Sequence, residues 1–432
     1  MRKTYPKYKP TEIAWLPEMP QHWEAIKAKH IFKERSEKGF PEEQLLAATQ
    51  TKGVVRKEDY ETRTVTAQKD FHLLKLVKEG DFVISLRSFQ GGIEIAYHRG
   101  IISPAYTVFY ERKKSKINKG YYKHLFKSHP FINSLSLFVT GIREGQNIDY
   151  SEFKDSLLPL PEEDEQVKIA NYLDSKNDRI DKFIAKKQKL IELLEEQRQG
   201  IINEAITKGI NSNAKMKPSN SDWLGNVPKH WEVKKLRFVG NCQNGMNKDG
   251  EFFGSGFPFM SYSDVYKNEA LPSTLSGLAE STVADRKSYS VLEGDVFFTR
   301  TSETIEEIGF ASTCTQSIDN ATFSGFLIRF RPRPNILFPE FSKYYFRSNL
   351  IRKSFINNMN LITRASLSQD LVKNLPVLIP PISEQQEIVN YIQSETKRID
   401  TAISRIEKEI EKVKELKQSL IAEVVTGKIK VA

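Results

Sequence analysis

Arginine, glutamine and asparagine side chains each present paired hydrogen-bonding groups, and this chain sets them in short polar loops at matching places in two similar segments. One loop, Ser85-Leu86-Arg87-Ser88-Phe89-Gln90-Gly91-Gly92, follows the apolar run after Asp81. Its counterpart, Thr299-Arg300-Thr301-Ser302-Glu303, follows the run after Asp295. Further along come Arg143-Glu144-Gly145-Gln146-Asn147 and, in the second segment, Arg364-Ala365-Ser366. A guanidinium fork matches O6 and N7 of guanine, a carboxamide matches N6 and N7 of adenine, and hydroxyls serve either base. By that chemistry Arg87, Ser88, Gln90, Arg143, Gln146, Asn147, Arg300, Thr301, Arg364 and Ser366 are the groups equipped to contact base edges. Around them Arg56, Lys57, Arg112, Lys113, Lys114, Lys123, Lys127, Arg331, Arg333, Lys343, Arg347, Arg352 and Lys353 offer charge of the kind that meets phosphates.

Catalytic patterns do not accompany these loops. The only Gly-Lys pair, Gly427-Lys428, is followed by Ile429 and lacks the upstream glycine of a phosphate-binding loop. The only Pro-Pro pair, Pro380-Pro381, lies between Ile379 and Ile382, unlike the polar-Pro-Pro-aromatic motif of enzymes that methylate base amino groups. Gly254-Ser255-Gly256 has no third glycine and reads as a turn. Seven histidines form no zinc-protease or deaminase pattern, and Cys242 and Cys314 have no CxxC partner. His22 and His230 each precede a tryptophan and are expected to pack. The chemistry on offer is recognition.

What must position the loops is written twice. Trp15-Leu16 through Pro20-Gln21-His22-Trp23 returns as Trp223-Leu224 through Pro228-Lys229-His230-Trp231. Glu79-Gly80-Asp81 returns as Glu293-Gly294-Asp295, and the run from Gln166 through Asn171-Tyr172-Leu173 to Arg179-Ile180-Asp181 returns from Gln385 to Arg398-Ile399-Asp400. The expected fold class is α+β: two similar mixed globular domains at 11–160 and 219–380, separated by two long antiparallel coiled-coil helices at 162–207 and 383–425, with a polar linker at 208–218 and an approximate internal two-fold. Apolar runs after the Gly-Asp turns, and at Thr107–Tyr110 and Phe326–Phe330, predict strands, while Tyr121–Ser128 and Phe341–Ser348 predict amphipathic helices. In the long segments Ile169, Leu173, Ile180, Ile184, Ile191 and Leu194, then Ile388, Ile392, Ile399, Ile403, Ile406 and Ile410, recur every three or four residues. Lys187, Arg198, Thr396 and Lys417 interrupt the two stripes. Each helix of about 40 residues is about 60 Å long and needs a partner for its stripe, either the other copy or another chain. Ser383 and Gln386 have the spacing of a capping box.

Charge sharpens the picture. The chain of 432 residues carries a net +10, yet 162–207 and 383–425 are both acidic, so the basic excess belongs to the globular parts. A polyanion contacted by those parts is the inference. No apolar run is long enough to cross a membrane, and no apolar stretch follows the basic start Met1-Arg2-Lys3, so a cytoplasmic chain without membrane contact is expected.

The duplicated Trp-Leu-x-x-x-Pro-x-His-Trp entries, the Glu-Gly-Asp strands and the Leu-Pro-Leu-Pro…Glu-Gln…Asn-Tyr-Leu…Arg-Ile-Asp run with its second copy resemble the specificity subunits of Type I restriction–modification systems across almost all the chain. The resemblance implies a non-catalytic subunit whose two target-recognition domains each read one half of a split, asymmetric site on double-stranded DNA. It further implies docking of two methyltransferase subunits and two restriction subunits. S-adenosylmethionine, ATP and Mg²⁺ would be held by those partners, with no cofactor in this chain. Base-reading residues do not transfer, because recognition loops differ among members. From the residues alone an alternative stands beside this: a coiled-coil scaffold joining two protein-binding domains, its basic charge incidental.

Overall fold

The computed structural model describes residues 3–60, 70–113, 116–140, 147–148, 150–221, 223–302, 308–357 and 365–431. Arg143, Gln146 and Arg364 lie outside these residues. The chain divides into two compact units, residues 1–188 with 407–432 and residues 189–406.

In the first unit a four-stranded antiparallel sheet runs in the order Phe32–Arg35, Thr107–Glu111, Phe82–Ile84, Glu94–Ile95. In the second the order is Gly240–Asn244, Leu327–Pro332, Val296–Thr299, Ala311–Thr313. The registers correspond: Phe82 faces Phe109, and Val296 faces Phe330. Aromatic rings fill the first core, with Phe82 stacked on Phe109 at 5.5 Å and Phe126 edge-on to Phe82 at 5.1 Å. In the second core Phe298 meets Phe346 and Phe355 edge-on, each at 5.7 Å. Fully burying one such ring stabilises a domain by about 1.5–3 kcal/mol. The helices Lys119–Leu125 and Pro339–Arg347 supply Tyr121, Tyr122, Leu125, Phe341, Tyr345 and Phe346 to these cores.

The long helices span Glu163–Lys208, 46 residues, and Ile382–Val425, 44 residues. Their stripes do two jobs. Ile169 and Leu173 join Val424 and Val425 in the first unit's core, while Ile388 and Ile392 join Ile202 and Ile206 in the second's. The residues between them, Ile180, Ile184, Ile191, Leu194, Ile399, Ile403, Ile406 and Ile410, are buried or half-buried. The charged interruptions of the stripes are cross-helix ion pairs. In the first unit Asp181 meets Lys417 at 2.6 Å and Lys187 meets Glu409 at 2.7 Å, so one helix rises in number as the other falls. In the second unit Arg198 meets Asp400 at 3.0 Å. Exposed pairs of this kind add little stability, but they penalise a slipped register.

Two local expectations change. The second long helix starts at Ile382, which leaves Ser383 inside the first turn and unable to act as its cap. The stretch expected as a linker contains a strand: Met216–Pro218 pairs with Asn226–Pro228, repeating the pairing of Tyr8–Pro10 with Glu18–Pro20. Lys217 fixes it by donating from Nζ to the Trp231 carbonyl at 2.6 Å. A backbone ladder with exposed side chains leaves no apolar alternation to read.

Candidate nucleic-acid interface

The repeated tripeptide is a structural device that launches the strand leading to each polar loop. Gly80 and Gly294 take φ of +80° and +87°, a left-handed turn that glycine accepts without strain. The following aspartates are buried, at 2% and 0% exposure, so each needs a partner. Asp81 accepts from Lys78 N at 2.9 Å and takes a two-pronged pair from Arg35, at 2.6 and 3.1 Å. Asp295 accepts from Leu292 N at 2.8 Å and takes two bonds of 2.6 Å from Arg331. The arginine comes from the edge strand in one copy and from the neighbouring central strand in the other. Tyr110, in the place equivalent to Arg331, carries the Arg35 guanidinium over its ring at 4.3 Å. Half-buried Arg331 is therefore engaged by a carboxylate of its own chain, where its sequence suggested a phosphate-type group.

In the first unit the strand runs into a tight turn. Ser88 Oγ accepts from Ser85 N at 2.8 Å, and a short helix, Ser88–Gly91, follows. Ser88 is buried and holds the turn, whereas Arg87 and Gln90 are exposed on it. Gly92 ends the helix at φ +82°, and a Cβ there would stand 2.2 Å from the Phe126 carbonyl oxygen. This helix lies beside the strand Asn147–Ile148, which pairs with Val139–Thr140, so the structure brings Asn147 beside the Arg87 turn.

Lys127 clamps the turn from beneath. Its Nζ donates to the carbonyls of Gly91 at 2.7 Å and Gln50 at 3.0 Å, and it pairs with buried Glu94. Burial pushes the Glu94 carboxyl up to about 7, opposed by the Lys127 charge, and burial lowers Lys127 itself. Arg347 holds the matching place after Phe346. It donates to the carbonyls of Val265 and Ala311 at 3.1 Å and of Tyr266 at 2.9 Å, with its guanidinium 4.7 Å from the Phe310 ring centre. Both cations were expected at phosphates and are spent inside the protein. Lys123 and Lys343 are also taken internally, by Asp174 at 2.6 Å and by Glu340. Arg112 donates to the Lys29 carbonyl at 2.8 Å, and Arg352 to that of Ile308 at 3.4 Å.

In the second unit Arg300 is half-buried and its Nη1 donates to the Gly325 carbonyl at 3.3 Å. Thr301–Ser302 forms a ladder with Ala365–Ser366, pairing Thr301 with exposed Ser366. Arg300, Thr301 and Ser366 are thus adjacent. A fourth neighbour was missed in the sequence: Phe326, whose carbonyl accepts from Arg300 N at 2.9 Å.

The four-stranded sheets are tied to the long helices by another repeated device. Gln166 Oε1 accepts from Asn118 N at 2.7 Å, while its Nε2 donates to the carbonyls of Lys116 and Pro161 at 3.0 and 2.7 Å. Gln385 makes the same three bonds, to Phe338 N, Ile336 O and Pro380 O, at 2.7, 2.9 and 2.8 Å. Beside them His22 meets Glu165 at 2.9 Å and His230 meets Glu384 at 2.7 Å, so the paired histidines hydrogen-bond the first turn of each helix. At the other ends Gly209 and Gly427, both at φ +74°, abut Trp231 and Trp23. Burial pushes the thiols of Cys242 and Cys314 up to about 11 and 12, which makes both poor nucleophiles at neutral pH.

Comparison with known proteins places this architecture. The profile of the Type I restriction modification DNA specificity domain matches residues 228–412. The EcoKI specificity subunit of Escherichia coli (strain K12) is 25% identical over 323 residues, spanning 74% of this chain and 67% of that protein. The MjaVIII specificity subunit of Methanocaldococcus jannaschii is 24% identical over 371 residues, spanning 82% and 80%. A chain from a solved structure concerning assembly and conformational transition of the type I R-M system has a TM-score of 0.70 at 15% identity, covering 95% of this chain and 99% of that one. The HsdS subunit from Thermoanaerobacter tengcongensis has a TM-score of 0.53 at 15% identity, covering 95% and 98%. With two copies of one scaffold, each carrying its own polar loops, the chain belongs to the DNA specificity subunits of Type I restriction–modification systems.

Proposed function

We propose that residues 11–160 and 219–380 each read one half of a split, asymmetric site on double-stranded DNA. The observation that carries this reading is the contrast within the repeat. The sheet order, the buried aspartate with its arginine and the three-bond glutamine anchor recur, while the loops differ: exposed Arg87 and Gln90 on a helical turn against half-buried Arg300 and Thr301 with exposed Ser366 beside a ladder. One scaffold with two loop chemistries suits two readers of two sequences. Arg143, Gln146, Asn147 and Arg364 belong to the same proposed base-reading set, and Ser88 supports its turn from within.

Segment 162–207, which continues into the second reader through 208–218, and segment 383–425, which follows that reader, act as spacers. Their length sets the number of unread base pairs between the half-sites. Two methyltransferase subunits dock on this chain and two restriction subunits join them, in the cytoplasm. S-adenosylmethionine, ATP and Mg²⁺ are held by those partners, and the methyltransferase gains its target base by flipping it from the stack.

Titration of the assembled chain and methyltransferase subunits with duplex DNA at several salt concentrations tests the reading. Binding is expected to weaken steeply as salt rises, because phosphate contacts release counterions, and to favour one bipartite sequence over random duplex. Equal affinity for every duplex would favour a protein-binding scaffold instead.

A further inference from the structure

The two units carry the same tight turn at the entrance to their central strand, but with different side chains on it. In the first, Ser103-Pro104-Ala105-Tyr106 closes with Tyr106 N donating to the Ser103 carbonyl at 3.1 Å and Ala105 N to Ser103 Oγ at 3.3 Å. In the second, Ser324-Gly325-Phe326-Leu327 closes with Leu327 N donating to the Ser324 carbonyl at 3.0 Å and Phe326 N to Ser324 Oγ at 3.2 Å. Phe326 therefore occupies the place of Ala105. It is 64% exposed, a large apolar group left in water.

The second turn is held rigidly. Gly325 N donates to the Met246 carbonyl at 2.9 Å, and Gly245 N to the Leu327 carbonyl at 3.2 Å. The close approach needs the glycine at 245: a Cβ there would stand 2.1 Å from the Ser324 carbonyl oxygen. Arg300 is fastened to the same turn, its N to the Phe326 carbonyl at 2.9 Å and its Nη1 to the Gly325 carbonyl at 3.3 Å. A cationic fork and an exposed ring are thus presented together. Little conformational entropy remains to be lost at the turn when a ligand covers them.

Resting on the reading above, we propose that Phe326 is a specificity-determining residue that packs its ring on a thymine C5-methyl in the half-site read by the second unit. The choice of thymine follows from what a duplex offers. In the major groove a base pair shows hydrogen-bond donors and acceptors, and the only apolar group among them is that methyl. A hydrocarbon ring beside a base-reading arginine gains by covering it and loses by covering a desolvated polar edge. Ala105 offers no comparable surface in the first unit, so the contact belongs to one half-site.

The test uses the assembled complex with methyltransferase subunits, as wild type, Phe326→Ala and Phe326→Leu. The second unit's half-site is assigned beforehand by exchanging residues 219–380. Competition binding then measures duplexes in which each thymine of either half-site, on either strand, is replaced by uracil, which lacks only the methyl. Wild type is expected to lose about fourfold at one thymine of the second half-site, the worth of one buried methyl group. Phe326→Ala should bind the cognate duplex more weakly and lose that thymine-to-uracil difference, while Phe326→Leu retains part of it. Thermal melting and discrimination at the first half-site should match wild type in both variants, which separates a lost contact from a damaged fold. Three results overturn the proposal: a second half-site without an A·T pair, wild type indifferent to uracil throughout it, or Phe326→Ala keeping the full difference. A wild-type complex that selects no bipartite site at all sinks the two-reader reading instead, and the unmatched duplex in the same assay reveals it.

Discussion

At the scale of residues, the exposed and the buried polar groups of the interface make separable predictions. Arg87→Ala and Arg300→Ala are expected to relax selection at one base position each, in different half-sites, at about 1–3 kcal/mol if the lost contact is bidentate. Competition against single-base variants of each half-site checks this, and a uniform loss across all sequences would assign that arginine to phosphate. Beneath Arg87, the Glu94 carboxyl is raised to about 7 by burial. A carboxyl raised on folding favours the protonated, folded state. Its contribution is complete below the ordinary glutamate value of about 4.5 and is lost as pH rises through about 7. Glu94→Gln should therefore flatten that part of the stability-against-pH curve in chemical denaturation. An unchanged slope would mean Glu94 is ionised throughout. The exposed groups were legible in the sequence because their chemistry is their own. Lys127, Arg331 and Arg347 were not, because a cation in a sequence does not reveal the carboxylate or carbonyl that faces it. The recurrence of Phe126-Lys127-Ser128 as Phe346-Arg347-Ser348 was the available sign that these two positions serve the scaffold.

At the scale of elements, the glutamine anchors join each globular domain to the helix that follows it. Gln166→Ala or Gln385→Ala removes the three hydrogen bonds of a buried side chain and strands their backbone partners, Asn118 N and the carbonyls of Lys116 and Pro161 in one case. A loss of about 2–4 kcal/mol is expected in chemical denaturation, and more than 1 kcal/mol should remain in Gln→Glu, whose second oxygen cannot donate when ionised. A loss below 0.5 kcal/mol would make these contacts ornamental. The strands after the two Glu-Gly-Asp turns were readable because a left-handed glycine turn and an apolar run announce them together. The four-residue helix Ser88–Gly91 and the ladder Met216–Pro218 were not, since neither buries a periodic apolar face. The long helices were readable from their apolar stripes. Their charged interruptions became intelligible once Asp181, Glu409 and Asp400 were found opposite Lys417, Lys187 and Arg198.

At the scale of the whole molecule, the proposed reading follows from duplication: the scaffold is repeated and the loops vary, so that one subunit would serve two different sequences. If helix length sets the unread gap, inserting four residues near Gln199 adds about 6 Å of helix and should widen the gap by about one or two base pairs, leaving both half-sites unchanged. A gap that stays constant would remove the spacer role from the helices. The central claim, two independent readers in one chain, is tested most directly by single-molecule methylome sequencing of DNA exposed to the assembled methyltransferase. The comparison is between the native chain and one whose residues 11–160 come from another specificity subunit. The account predicts a bipartite asymmetric site for the native chain and a change in one half alone after the exchange. A change in both halves, or in neither, would contradict it.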